Sequence, residues 1–277
     1  MLRIIPYGLP LLAASGDALA WGLYTHVYYA QQLLWLLPFT DPRLLRACRR
    51  LPALVLAGAC LPDLSLMARP AHTPSLGDSH QWRMLRGLVA RADGDEAVAL
   101  TVGYASHLLT DILAHNHFVP AHEHHWFSAG IVTHACVEWA MDAHVADRLH
   151  ALPADLLGDH SRTAAAVLAH GFGCSERGAL RAIRYLARGE RGLRASRVPA
   201  AVRWCATAID PRTQRRFHRY LLRTSARLHV VERLLAGEEP RLAAEVCPAE
   251  ARHHLWLRSG DRPPRLAPIP SQLFDAP

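Results

Sequence analysis

The chain has 277 residues, 51% of them hydrophobic, enough to furnish a substantial core in one large or two small domains, which excludes a disordered chain. All 31 basic residues are arginine, and the formal net charge of +7 suits an anionic substrate or surface, although the arginines are spread along the chain and form no solid block. Histidine is the informative excess: 18 residues, bunched between His72 and His150, a pattern that asks for metal.

In chain order, Met1 to Ala20 reads as a secretory signal: Arg3 in the n-region, an apolar stretch from Ile4 to Ala14, and Ala18-Leu19-Ala20 as a small-residue cleavage site that would leave Trp21 first. This predicts a secreted or periplasmic protein. No later apolar run is read as long enough to cross a bilayer, so the mature chain is expected to be soluble or peripheral. Ala and Leu dominate, strand-like runs are few, and helices are predicted over 22–37, 42–50 (capped by Asp41, with Pro42 at its first position), 51–59, 97–114 and 131–150. Residues 67–78 and 116–130 read as irregular. Further helices are predicted over 161–170, 175–187, 199–209 and 211–236. The expected organisation is all-α: a signal over 1–20, one multi-helix domain over 21–259 with a multinuclear zinc site between helices, and an extended Pro-rich tail over 260–277. Six cysteines without a CxxC pair leave disulfides and buried free thiols both open.

His107, Asp111 and His115 stand four apart along one predicted helix, so their side chains project in a row among Leu108, Leu109, Ile112 and Leu113. His134 and Glu138 repeat the spacing on the next helix. Alone, each pair reads more readily as a surface i,i+4 pair than as a metal site, but two apolar helices each offering imidazole and carboxylate are how bundles build multinuclear metal sites. The donors suit zinc; iron or manganese bundle sites use Glu-x-x-His, which neither helix shows. Trp21 and His26 offer a third element, in which a newly exposed α-amine and carbonyl would chelate metal with His26, although alone they read more readily as a core tryptophan and a surface histidine. Asp63 after Pro62, and His80, are weak signals by themselves.

Their order is stronger than any single member. W-x4-H, then P-D, then H, then H-x3-D-x3-H, then H-x3-E resembles the zinc-dependent phospholipase C family, which includes bacterial phosphatidylcholine-type enzymes and the catalytic part of the glycosylphosphatidylinositol-specific phospholipase D. The resemblance covers residues 21–140. It implies that Trp21 and His26 hold one zinc, that Asp111 is shared with a second zinc bound by His107, His80 and Asp63, and that His134 and Glu138 hold a third with a following histidine. For that histidine, related family members differ in spacing: His115 is the first choice here because an unbroken helix keeps it on the face of His107 and Asp111, and His117 is the second. Two to three zinc ions per chain would activate a water for attack on a phosphodiester, with Asp63 considered for orienting or deprotonating it. His122, His124 and His125 read mainly as a solvated loop before His134.

The resulting expectation is a phosphoric diester hydrolase acting on phospholipid, with peripheral membrane contact. The alternatives are a single-strand-type zinc nuclease, which would bring nucleic acid as partner but carries aspartate where Glu138 stands, and a zinc-binding protein without turnover.

Overall fold

The computed structural model describes residues 22–125, 131–244 and 273–274, and among them there is no strand. Helix α1 (Leu23–Leu36) ends where Leu37 turns left-handed ahead of Pro38. Helix α2 (Pro42–Arg50) is capped as expected, the Asp41 carboxylate accepting from Arg43 N at 2.7 Å. Helix α3 (Pro52–Gly58) leads into short 3-10 turns over Pro62–Met67 and Pro74–Asp78. Helices α4 (Trp82–Ala90) and α5 (Gly94–Leu113) follow. A widened π segment, Ala114–Phe118, joins α5 directly to α6 (Val119–His125). The remainder is α7 (Ile131–Val145), α8 (Pro153–Asp159), α9 (Ser161–Phe172), α10 (Glu176–Ala195), α11 (Val198–Ile209), α12 (Thr213–Ser225) and α13 (Val231–Leu235).

Helix α5 is the axis of the fold. It is buried from Ala97 to Leu113 and packs against α1, α2, α3, α4, α9 and α13. By length and composition residues 94–122 would qualify to cross a membrane, contrary to the sequence reading, but that apolar window is wholly buried and serves as the core helix of the protein. Its approach to α3 is close enough that a Cβ on Gly103 would overlap the Val55 carbonyl oxygen, and one on Gly58 the Leu100 carbonyl. This contact brings the end of α3, and Asp63 beyond it, alongside His107.

Several expectations need correction. Residues 116–125 are helical instead of irregular, the π segment carrying the chain without a break from α5 into α6 and through Pro120. The single helix expected over 211–236 is two, α12 and α13, because a turn at Leu228–Val230 folds Leu228 and Val231 into the core. Helices α4 and α8 were not foreseen: the first has no side-chain cap at Gln81, and the second is only seven residues long. Cys48, Cys60, Cys136, Cys174 and Cys205 are free thiols. Leu273 and Phe274, in the predicted tail, are buried, with Arg233 stacked on the Phe274 ring. The predicted signal, Trp21 and the rest of the tail lie outside the described residues.

Candidate metal centre

The proposed ligands are among the most buried polar groups of the chain. His26, His107 and Asp111 are wholly inaccessible, and Asp63, His80, His115, His134 and Glu138 nearly so. Buried polar groups at this density need partners.

One group gathers around Asp111. His107 Nε2 lies 3.0 Å and His80 Nε2 3.4 Å from Asp111 Oδ2, while His26 Nε2 lies 3.3 Å from Oδ1. Asp63 Oδ1 stands 3.6 Å from His80 Nε2 and 3.8 Å from His107 Nε2. The imidazoles of His26 and His107 stack at 3.5 Å, and His80 and His107 bring their Nε2 atoms within 3.3 Å. The donor atoms of His26, Asp63 and His107, and those of His80, His107 and Asp111, each converge closely enough to hold one ion.

Local bonding aims these rings. His107 Nδ1 lies 2.7 Å from the Ala59 carbonyl, which can only accept, so Nδ1 carries the proton and Nε2 points inward. Thr110 spends its single hydroxyl proton on the His107 carbonyl at 2.9 Å, so at 3.2 Å it accepts from His26 Nδ1–H. Each neutral ring therefore presents a lone pair to the Asp111 carboxylate. Acceptor facing acceptor is repulsive, and among the described residues neither Asp111 oxygen has a hydrogen bond of acceptable geometry. Only extra protons on the imidazoles or a cation between them resolves the arrangement. Burial by itself would raise both carboxyls, but the neighbouring imidazoles, when protonated, outweigh it: His107, His80 and His26 hold Asp63 low, and His107 and His26 hold Asp111 well below the usual range. The loop bearing His80 is pinned by Ser79 Oγ donating to the Pro62 carbonyl and Tyr104 O–H donating to the Ser79 carbonyl.

The second group lies on the π segment and α7. His134 Nε2 is 2.8 Å from Glu138 Oε1, and the His115 ring centroid is 5.5 Å from that of His134. Among the described residues neither His134 Nε2 nor Glu138 Oε1 makes a hydrogen bond. Burial pushes His115 down to about 4 and His134 down to about 3, so both are neutral donors at ordinary pH. Burial, with Asp63 and Asp111 nearby, pushes Glu138 well above the usual carboxyl range. His117 is partly buried, Tyr220 O–H donates to its carbonyl at 3.3 Å, and burial with the neighbouring Arg227 depresses it to about 4. His122 donates from Nδ1 to the Phe118 carbonyl and packs among Phe118, Phe217 and Tyr220, inside the protein instead of in a solvated loop.

Sequence reasoning missed the clamp joining the two groups. Asp142, one turn beyond Glu138, accepts from Thr25 N at 2.9 Å, Thr25 Oγ1 at 2.8 Å and Tyr24 N at 3.4 Å, thereby capping α1 from α7. Arg194 of α10 donates to Asp142 and, at 2.5 Å, to Glu190, with its guanidinium 3.8 Å above the Tyr24 ring. A side chain on Gly22 would overlap the Asp142 carboxylate. The extension of the row His134, Glu138, Asp142 at i,i+4 was the available signal.

Fold and site together define an all-helical protein whose buried nitrogen and oxygen donors, contributed by several helices and turns, form a candidate multinuclear metal centre. The chain belongs to the zinc dependent phospholipase C family, which it matches over residues 25–175. That span holds every proposed ligand except Trp21. No curated protein and no solved structure matches the chain.

Proposed function

We propose that this member of the family is a phosphodiester hydrolase that releases the phosphorylated headgroup of a phospholipid. The observation that carries the reading is Asp111: a buried carboxylate faced on both oxygens by imidazoles from α1, the His80 loop and α5, a geometry that fits a carboxylate shared between two cations. His26, with the α-amine and carbonyl of Trp21 after removal of the signal, would hold one zinc; Asp63, His80 and His107 a second; His115, His134 and Glu138 a third. Zinc bound here supplies Lewis acidity and lowers the pKa of a coordinated water. The chain's own part is to fix the donors. Ala59 and Thr110 set the tautomers of His107 and His26, and the Asp142–Arg194 clamp holds α1 against α7. Asp63, held ionised, would orient the attacking water and take its proton at the carboxylate oxygen not engaged in holding zinc. Export, with cleavage before Trp21, belongs to the same proposal.

The test is zinc analysis and N-terminal mass determination on protein purified without chelator, followed by headgroup release from phospholipid vesicles. Two to three zinc ions, an N-terminal Trp21 and turnover abolished by chelator are expected, with much slower cleavage of single-stranded nucleic acid. Robust nuclease activity with inert lipids overturns the phospholipid assignment, and full zinc without activity on either substrate overturns hydrolysis altogether.

A further inference from the structure

Helix α11 lies beyond the span matched by the family and contains one charged residue, Arg203, in twelve. Its inner side packs on α7, the helix of His134 and Glu138, and buries Pro199 and Ala206. Its outer side is also apolar. Ala201, Trp204, Cys205, Ala208 and Ile209 are all exposed, at the i, i+3, i+4, i+7, i+8 spacing of a helix face made to be covered. Trp204 is 72% and Ile209 76% accessible, and Val198 adds a further 37% at the same helix's start. A contiguous apolar stripe led by a bare tryptophan marks an interaction surface.

The charge around this stripe selects what covers it. Although arginine is spread along the chain as a whole, residues 196–230 hold eight arginines against the single acid Asp210. Asp210 is already paired with Arg216. Arg197 precedes the stripe, and Arg212, Arg215 and Arg219 follow it on the next turns; all four are exposed, and none makes an ion pair among the described residues. Leu222, 59% accessible, shares one face of α12 with Arg215 and Arg219. Apolar side chains with an interfacial tryptophan, flanked by unneutralised guanidinium groups, match the layering of a bilayer surface: acyl boundary at the centre, anionic phosphates at the rim.

We propose that the outer face of α11, with the flanking arginines of α12, docks the protein onto anionic phospholipid membranes and so places α7, one helix thickness or about 10 Å away, toward the lipid. The proposal deepens the phospholipid reading above and rests on it for its purpose, but binding is scored without turnover.

The experiment is sedimentation of the zinc-loaded protein with vesicles of equal parts phosphatidylglycerol and phosphatidylcholine, and with pure phosphatidylcholine vesicles. Binding is expected on the anionic vesicles, weakening as salt rises. The double variant Trp204→Ser, Ile209→Ser should lower partitioning by about tenfold or more, and each of Arg212→Gln, Arg215→Gln and Arg219→Gln by about fivefold. Zinc content and hydrolysis of a water-soluble short-chain phosphodiester should stay as in the wild type in every variant, which separates docking from folding and from the metal centre. Vesicle binding unchanged by these substitutions overturns the proposal. So does a concentration-dependent self-association that Trp204→Ser abolishes while vesicle binding persists, since the stripe would then face a second copy. A wild type inert on the soluble substrate, yet bound to anionic vesicles through Trp204, would sink the hydrolase reading and leave the docking surface standing.

Discussion

The two ligand groups share donor chemistry but not construction. Around Asp111 the side chains come from α1, a 3-10 turn, a pinned loop and α5, and the inward-facing nitrogens of His26 and His107 are set by Thr110 and the Ala59 carbonyl. Around Glu138 the side chains come from a π segment and from α7, and among the described residues His134 Nε2 and Glu138 Oε1 have no orienting hydrogen bond. Hydrogen bonds thus aim two imidazoles of the first group, whereas the second relies on helix geometry, which already sets His134 Nε2 2.8 Å from Glu138 Oε1. π segments recur at functional sites because the wider turn re-aims side chains, and here the one over Ala114–Phe118 accompanies a His115 ring close to His134.

Metal retention is the most direct way to break that contrast. Asp111→Asn should have the largest effect: one zinc or none retained, and headgroup release down by about a thousandfold or more, because a neutral amide bridges cations poorly. Full metal and activity in this variant would refute the shared-carboxylate assignment. Glu138→Gln should cost a single zinc and leave the Asp111 group loaded, with activity reduced by about a hundredfold. His115→Ala should behave like it and His117→Ala like the wild type; elemental analysis giving the opposite pattern would transfer the ligand to His117.

Smaller effects should sharpen the contrast. Thr110→Val removes the acceptor for His26 Nδ1–H and should weaken one zinc by about 10- to 100-fold in a chelator titration, without touching the ion at Glu138. Equal weakening of both would mean that the groups are not separable. A last effect, read in stability and not in metal content, lies in the clamp between them. Burial first, then Asp142, pushes Glu190 up to about 7 against the opposing pull of Arg194. Its folded pKa thus exceeds its unfolded value near 4.5, so the folded state holds the proton more tightly, and stability should fall as pH rises from about 4.5 through 7. The loss is at most about 3 kcal/mol, and Glu190→Gln should flatten it in Tm measured across that window. A wild type and variant with parallel Tm profiles would show that Glu190 is ionised throughout.

How much of the site was legible depended on the distance over which each relationship acts. His107 with Asp111, and His134 with Glu138, could be read because four residues return a helix to the same face. His26, Asp63 and His80 were readable only through their order in a family pattern; no local rule places a residue of α1 beside one on a turn after α3. The reading of His115 rested on an unbroken α-helix, whereas the structure has a π segment there, and no periodicity in Ala114–Phe118 announces it. Thr110, Ala59 and Arg194 left no signal, since a threonine, a backbone carbonyl and an arginine of a distant helix acquire their roles only on contact.

Composition and helical punctuation by themselves determined that this protein is all-α, and the spacing of its histidines and carboxylates determined which two helices carry metal-type pairs, because both follow from interactions within a few residues. Only the tertiary structure decided that α5 is the central buried axis, that Asp111 is the carboxylate on which three imidazoles converge, and that α1 is capped from α7 by Asp142. Those arrangements depend on close packing at Gly58 and Gly103 and on contacts more than a hundred residues apart, whose energies exist only once the core has closed.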